Sequence, residues 1–174
     1  MADFYGSLLG ADAYHTARAN TGWAGENDLK LAALLRASVY IDGRYRKHYP
    51  SGRWASLFPG EKALGRAQAR EWPRTDAQDY TGAAISANEV PAEVEQATYE
   101  AALRELVTPG SLSPDFVATS LIKSEKLGPL ETTYAVPDAS APGASPARPV
   151  ITLIDEIIAP VLVARYELPA MVVV

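Results

Sequence analysis

The segment from residue 27 to residue 47, NDLKLAALLRASVYIDGRYRK, constrains the fold more than any other part of the chain. Its apolar side chains recur every three or four residues, which is the spacing of one face of an α-helix. Asn27 or Asp28 can cap the start of this helix through a side-chain oxygen. A helix over residues 27–47 with a single core-facing stripe is therefore predicted. The stripe consists of Leu31, Leu34, Leu35, Ser38, Ile41 and Tyr45.

A second helix is predicted over residues 89–106, EVPAEVEQATYEAALREL. Pro91 stands in its first turn, where the missing N–H costs little, and Glu93 lies near the positive end of the helix dipole. Ala97 and Ala101 lie on the apolar stripe and allow another helix to approach closely. Together with a short helix near residues 10–19, these segments predict a helical body.

The hydrophobic period changes after residue 116. Residues 117–136 are rich in Val, Ile, Thr and Tyr on both sides of Gly128-Pro129, which indicates two strands joined by a turn. Because an isolated two-stranded hairpin is marginally stable, either the helical body or neighbouring subunits must support it.

Residues 137–149, PDASAPGASPARP, contain four prolines and four alanines and almost no bulky side chain, which is typical of a linker. The helix that follows has an apolar face that consists of Ile151, Ile154, Ile157, Ile158, Val161 and Leu162. An apolar helix on such a tether favours docking on another protein, and the alternative is that it folds back onto its own body. If it docks elsewhere, deletion of residues 150–174 leaves a folded body.

The expected fold class is mainly α (α+β). A helical bundle body spans residues 1–116 and includes a long loop over residues 48–88. The β-hairpin (117–136), the linker (137–149) and a tethered C-terminal docking helix with its tail (150–174) follow. Within the long loop, Trp72 is expected to hold the loop to the body by burying its ring.

Residues 42–54, DGRYRKHYPSGRW, combine three arginines and a lysine with two tyrosines, a histidine and a tryptophan. Cations among aromatic rings are typical of a groove that binds nucleic acid. The net charge of −5 is the opposite of that expected for a dedicated DNA binder, so any such role is local. The helical pattern predicts that the first half of the segment ends the 27–47 helix and the second half forms a turn.

Charge is also unevenly distributed along the chain. Residues 30–74 hold ten Lys or Arg against three Asp or Glu, whereas residues 75–115 hold eight acids and one arginine. Two helices with solvated faces explain this difference, and so does a subunit whose basic side meets a neighbour's acidic side in a closed ring.

The residue types exclude several kinds of chemistry. The absence of cysteine excludes disulfides, thiol nucleophiles and cysteine-ligated zinc. The two histidines have no metal-binding spacing, and no nucleophile elbow or P-loop is present. No enzymatic activity and no cofactor are expected, and a hydrolase has no positive feature to support it. The start does not have the pattern of a signal peptide, and charges interrupt the apolar C-terminus, so no membrane span is expected.

An ordered set of motifs resembles one known family. RASVYIDGRY is followed by Gln68, the tripeptide Trp72-Pro73-Arg74, Gly82, an Ile-x-x-x-x-Val-Pro step at residues 85–91, and Lys-x-x-Lys-Leu-Gly-Pro-Leu ending near Tyr134. Over residues 5–136 this order is similar to the head–tail connector (adaptor) proteins of tailed bacteriophages. Many of these carry the description DnaT-like single-stranded-DNA-binding protein. Arginine at position 70, where an apolar residue is expected, departs from the pattern, as does the extended C-terminus.

The resemblance implies a structural virion protein of the neck, made in the host cytoplasm. It implies a twelve-fold ring of copies beneath the portal protein, joined on the other side to a stopper or tail protein. Genomic DNA would pass without sequence readout. By position, Trp72, Pro73 and Arg74 would hold the long loop to the body, and the apolar face of residues 151–162 would contact the portal. The basic residues Arg44, Arg46, Lys47 and Arg53 would form either a subunit interface or the lining of the DNA channel.

The alternative function is single-stranded-DNA binding in phage replication. Net charge and the lack of a run of strands typical of an OB-fold argue against it, whereas the basic and aromatic residues 42–54 argue for it.

Overall fold

The computed structural model describes residues 3–49, 51–114 and 149–163, and the backbone of residues 124–127 and 130–133. Two long helices, α2 and α3, pack against each other, with α1 and the short helix α4 also packed on α3. The helices are α1 (Leu8–Ala17), α2 (Asn27–Arg44), α3 (Ala92–Val107) and α4 (Thr152–Ile158), and 3₁₀ turns occupy Gly65–Ala67 and Ala159–Val161. The fold is α+β, as predicted.

The strands are short and form antiparallel pairs: β1 with β2, β3 with β4, β5 with β6, and β7 with β8. Their bounds are β1 (Arg46–His48), β2 (Trp54–Ser56), β3 (Glu61–Lys62), β4 (Arg74–Thr75), β5 (Ala77–Gln78), β6 (Ala84–Ile85), β7 (Ser124–Leu127) and β8 (Leu130–Thr133). The β7–β8 pair lies within the hairpin predicted at residues 117–136, with Leu127 opposite Leu130. The first three pairs lie between α2 and α3, where the sequence predicted a long loop.

The start of α1 and the end of α2 are each set by specific hydrogen bonds. The Ser7 side chain accepts a hydrogen bond from the backbone N–H of Gly10 and so caps α1. Helix α2 was predicted to continue to residue 47, and this prediction is wrong by three residues. The chain leaves the helix at Arg44 because residues 46–48 gain strand partners in β2, and the Leu57 N–H bonds to the Tyr45 carbonyl oxygen at 2.8 Å.

The core lies between the facing sides of α2 and α3. Ala33 and Ala37 of α2, and Ala97 and Ala101 of α3, are fully buried, so small side chains allow the two helices to approach closely. The predicted α2 stripe is buried at Leu34, Ser38, Ile41 and Tyr45 and half-buried at Leu31. Leu35 is the exception: it is 38 % exposed, because it lies at the edge of the stripe.

Helix α4 belongs to this core. Ile154, Ile158 and Val161 are buried, and Ile151, Ile157 and Leu162 pack against the same cluster at partial exposure. Of the two alternatives for the last helix, the structure shows the one in which it folds back onto its own body. Three of the six side chains assigned to a portal interface are therefore inside this subunit and cannot contact another protein in this conformation. Most of the predicted linker lies outside the described residues, as does the tail beyond residue 163.

Candidate nucleic-acid interface

The segment of mixed cations and aromatic rings forms the β1–β2 hairpin. Lys47 lies opposite Ala55, and His48 lies opposite Trp54. The turn is closed by a hydrogen bond of 2.8 Å from the Tyr49 N–H to the Arg53 carbonyl oxygen. The prediction of a helix end followed by a turn is thus corrected to a hairpin, because pairing with residues 54–56 gives residues 46–48 backbone partners that helical periodicity does not reveal.

The aromatic rings of the hairpin are exposed beside cations. The Trp54 side chain is 60 % exposed, and its ring lies 4.6 Å from that of His48. Tyr49 is 39 % exposed, with the Lys47 ammonium 5.0 Å from its ring centre. Residues 46–56 include no acidic residue. Exposed rings that can stack on bases, next to cations that can meet phosphates, are the two parts of a sequence-tolerant binding site for single strands.

The four basic residues predicted as a subunit interface or channel lining divide into two groups. Arg44 and Arg46 make intramolecular ion pairs, with Asp155 at 2.9 Å and with Glu71 at 3.2 Å. Lys47 and Arg53 are exposed on the hairpin. The structure therefore leaves Lys47 and Arg53, with the half-exposed Arg46, as the hairpin cations best placed to meet a ligand.

One buried carboxylate, that of Glu71, pairs with three cations, of which Arg46 is the first residue of β1. The Glu71 carboxylate forms ion pairs with Arg74 at 2.9 Å, Arg46 at 3.2 Å and Lys62 at 3.4 Å, so these four side chains carry a net charge of +2. Burial by itself raises the pKa of Glu71, but the fields of Lys62, Arg46 and Arg74 outweigh it and hold the pKa below its usual value. Glu71 is therefore ionised and fixes the position of Arg46 at the start of β1.

The predicted loop anchor, Trp72-Pro73-Arg74, lies against the body. The Trp72 ring is buried and meets Phe58 edge-on at 5.7 Å between ring centres. The buried Arg74 guanidinium donates to the carbonyl oxygens of Pro59 and Gly60. Pro73, joined to Trp72 by a cis peptide bond, accepts a hydrogen bond from the Gln68 side chain at 3.0 Å. These contacts hold the loop that carries the strand pairs.

The polar network that joins this loop to α2 was not predicted from the sequence. The Tyr5 hydroxyl donates to the buried Asp42 carboxylate and accepts hydrogen bonds from the backbone N–H groups of Glu71 and Trp72 at 2.9 and 3.1 Å. Burial raises the pKa of Asp42, and hydrogen bonds and the neighbouring Arg70 offset this only in part. Arg70, at the position where an apolar residue was expected, pairs with Asp42 and Asp3. The one sequence signal for this network is Asp42, an acid next to the core-facing Ile41 near the end of α2.

The described residues offer little for metal chemistry or membrane insertion. Over residues 3–49, 51–114 and 149–163, no three His, Asp or Glu side chains converge in a way that could hold a metal ion. No helix of this part of the chain is long and apolar enough to cross a membrane.

The fold and the site together define a small α+β protein with a helical body and an exposed basic and aromatic hairpin. The chain belongs to the family described as "Putative DnaT-like ssDNA binding protein", whose model matches residues 1–173. No curated protein and no solved structure matches the chain. The family description agrees with the alternative function considered from the sequence.

Proposed function

We propose that this protein binds single-stranded DNA through the β1–β2 hairpin without reading base sequence. The observation that carries the proposal is the hairpin itself: an acid-free segment with Trp54 and Tyr49 exposed beside Lys47 and Arg53. The family description supports the same ligand. No catalytic step is part of the proposal.

The charges set the expected strength of binding. The whole chain carries −5, so attraction to phosphates depends on local positive charge such as that of the hairpin. Each phosphate neutralised on a single strand contributes a slope of about −0.7 to the dependence of log affinity on log salt. With Lys47, Arg53 and the half-exposed Arg46 engaged, we expect a slope of roughly −1.4 to −2.1, which is shallow compared with dedicated DNA binders.

Binding of a fluorescently labelled oligothymidine, followed by anisotropy at several salt concentrations, tests the proposal. Trp54→Ala is expected to weaken binding by about 1–3 kcal/mol, because a stacking surface for one base is lost. Lys47→Gln and Arg53→Gln should each make the salt slope shallower by about 0.7.

Two matched variants control this experiment. Leu9→Ala removes an exposed apolar side chain from α1, and Arg66→Gln removes an exposed cation from outside the hairpin. Neither should change the affinity. If the wild-type protein shows no salt-sensitive binding, or if Trp54→Ala binds as tightly as wild type, the proposal is wrong.

A second candidate function is the head–tail adaptor, a ring beneath the portal that joins it to the tail. The observation that favours it is the separation of charge between the basic hairpin and the start of α3. Glu89 is exposed just before α3, and Glu93 and Glu95 lie in the first turn of that helix. Burial, and then the charge of nearby Glu89, raise the pKa of Glu95. In a closed ring, the hairpin of one copy would face the acidic α3 start of the next. Arg44 and Asp155 would then be internal contacts.

Electron microscopy of the protein with and without a portal separates the two functions. The adaptor function predicts rings or portal-capped rings, and the double variant Lys47→Gln/Arg53→Gln would lose ring assembly if the hairpin is a subunit interface. Normal rings that retain DNA poorly would instead indicate a channel lining. Tight, salt-sensitive binding of single strands by a monomer that never forms rings would contradict the adaptor function.

A further inference from the structure

A cavity of about 480 Å³ lies at the root of the β1–β2 hairpin. Tyr45 and Leu57, the residues just before β1 and just after β2, both line it and are joined by a backbone hydrogen bond of 2.8 Å. The residues that follow the 3₁₀ turn after α4 close another side, because the Val163 N–H bonds to the Leu57 carbonyl oxygen at 2.8 Å. The cavity is therefore continuous with the hairpin proposed to hold DNA, and its volume falls in the range of about 300–1,000 Å³ typical of small-ligand sites.

The lining combines apolar surface with one polar pair. Leu57 and Leu162 supply aliphatic side chains, and Tyr80 supplies an aromatic ring that is 73 % exposed. Tyr80 is held in place by a hydrogen bond of 2.9 Å from its backbone N–H to the Pro160 carbonyl oxygen. These surfaces suit a flat ligand with apolar faces.

The polar pair is formed by Arg44 and Asp155. Two N–H groups of Arg44 donate to the Asp155 carboxylate at 2.9 and 3.3 Å, and the Tyr45 hydroxyl donates to it at 2.7 Å. Burial, and then the hydrogen bond to Asp155, raise the pKa of Tyr45, so its hydroxyl remains a donor at neutral pH. Arg44 and Asp155 are each partly exposed, and their charges cancel.

We propose that this cavity receives one unstacked nucleobase of a DNA strand bound along the hairpin. The inference rests on the proposed function. A base has apolar faces that fit between aliphatic and aromatic side chains, and an edge with donors and acceptors that fits a guanidinium beside a carboxylate. A phosphate fits the cavity poorly, because the Arg44–Asp155 pair is neutral and does not attract an anion. The neighbouring acid-free hairpin does attract phosphates.

Two variants test the cavity without touching the hairpin. Tyr80→Ala removes the exposed ring, and Ala159→Leu adds bulk at an exposed position that lines the cavity. The probe is an oligothymidine with a single 2-aminopurine, whose fluorescence reports unstacking. We expect the wild-type protein to change the 2-aminopurine emission, and each variant to reduce that change and to weaken binding at least about fivefold, the lower bound for the loss of one stacked base.

The control is Ala87→Leu, which adds the same bulk at an exposed position outside the cavity and should leave binding unchanged. Circular dichroism of each variant establishes that it is folded. If Trp54→Ala weakens binding while Tyr80→Ala and Ala159→Leu leave both affinity and emission unchanged, the cavity does not receive a base, although the hairpin still binds DNA. If the wild-type protein binds no strand at all, the proposed function and this inference are both overturned.

Discussion

Removal of residues 150–174 is expected to unfold the protein or to leave it only marginally stable. Ile154 and Ile158 are fully buried and Val161 is almost so, and burial of such side chains contributes about 1.5–3 kcal/mol each. Their combined contribution of roughly 5–9 kcal/mol is comparable to the whole stability of a typical domain. The truncation also removes Asp155, which pairs with Arg44 at 2.9 Å and accepts a hydrogen bond of 2.7 Å from the Tyr45 hydroxyl.

Point variants within α4 make this prediction sharper. Ile154→Ala should destabilise the protein by about 2–5 kcal/mol, because it leaves a cavity in the core. Leu153→Ala, one residue earlier and 42 % exposed, is the matched control and should cost far less. Urea unfolding followed by circular dichroism measures both. A truncated body with the midpoint of the intact protein would show that α4 is a detachable docking helix, as the sequence first indicated.

Glu71→Ala is expected to destabilise the protein by about 3–5 kcal/mol, the usual cost of removing one partner from a buried ion pair. The buried Arg74 would lose its carboxylate and Arg46 would lose its position at the start of β1. For a chain of this size the melting temperature should fall by about 6–20 °C. Glu61→Ala, which removes an exposed acid from the neighbouring strand β3, is the control and should change it little. A melting temperature equal to wild type would show that the three cations do not depend on Glu71.

The pH dependence of a second variant, Glu71→Gln, gives an independent check. Because the folded-state pKa of Glu71 lies below its usual value of 4.5, its ionised form stabilises the fold above that pH. This stabilisation is lost as the pH falls through the lower folded-state pKa. The difference in unfolding free energy between wild type and Glu71→Gln should therefore be constant near neutral pH and shrink in acid. A difference that grows on acidification would contradict the assignment.

The helical part of the fold could be predicted because helical periodicity depends only on residues three or four apart in the sequence. Leu34 and Ile41 in α2, and Val94 and Ala101 in α3, recur at the spacing of one helix face, and all four are buried. The β7–β8 pair could also be predicted from local sequence, because Gly128-Pro129 separates two segments of high strand propensity.

For the candidate site, the sequence predicted which residue types are present but not how they are arranged. The residue types at 42–54 indicated cations and rings that could meet nucleic acid, but the arrangement depended on contacts distant in sequence. Arg46 is positioned by Glu71, and Arg44 by Asp155, more than a hundred residues away. Nothing in the sequence near Arg44 distinguishes it from Lys47, although one is held in an internal pair and the other is exposed.

The sequence by itself determined which segments are helical, which face of each is apolar, and where cations and aromatic rings are concentrated. These properties depend on side-chain spacing of a few residues. Only the tertiary structure decided what each apolar face packs against. Burial of apolar surface is favourable against any apolar partner, so the pattern of α4 fits a portal and the protein's own core equally well. Packing on α3 and the pairing of Asp155 with Arg44 place α4 in the core, and the pairing of β1 with β2 turns the expected helix end into an exposed hairpin.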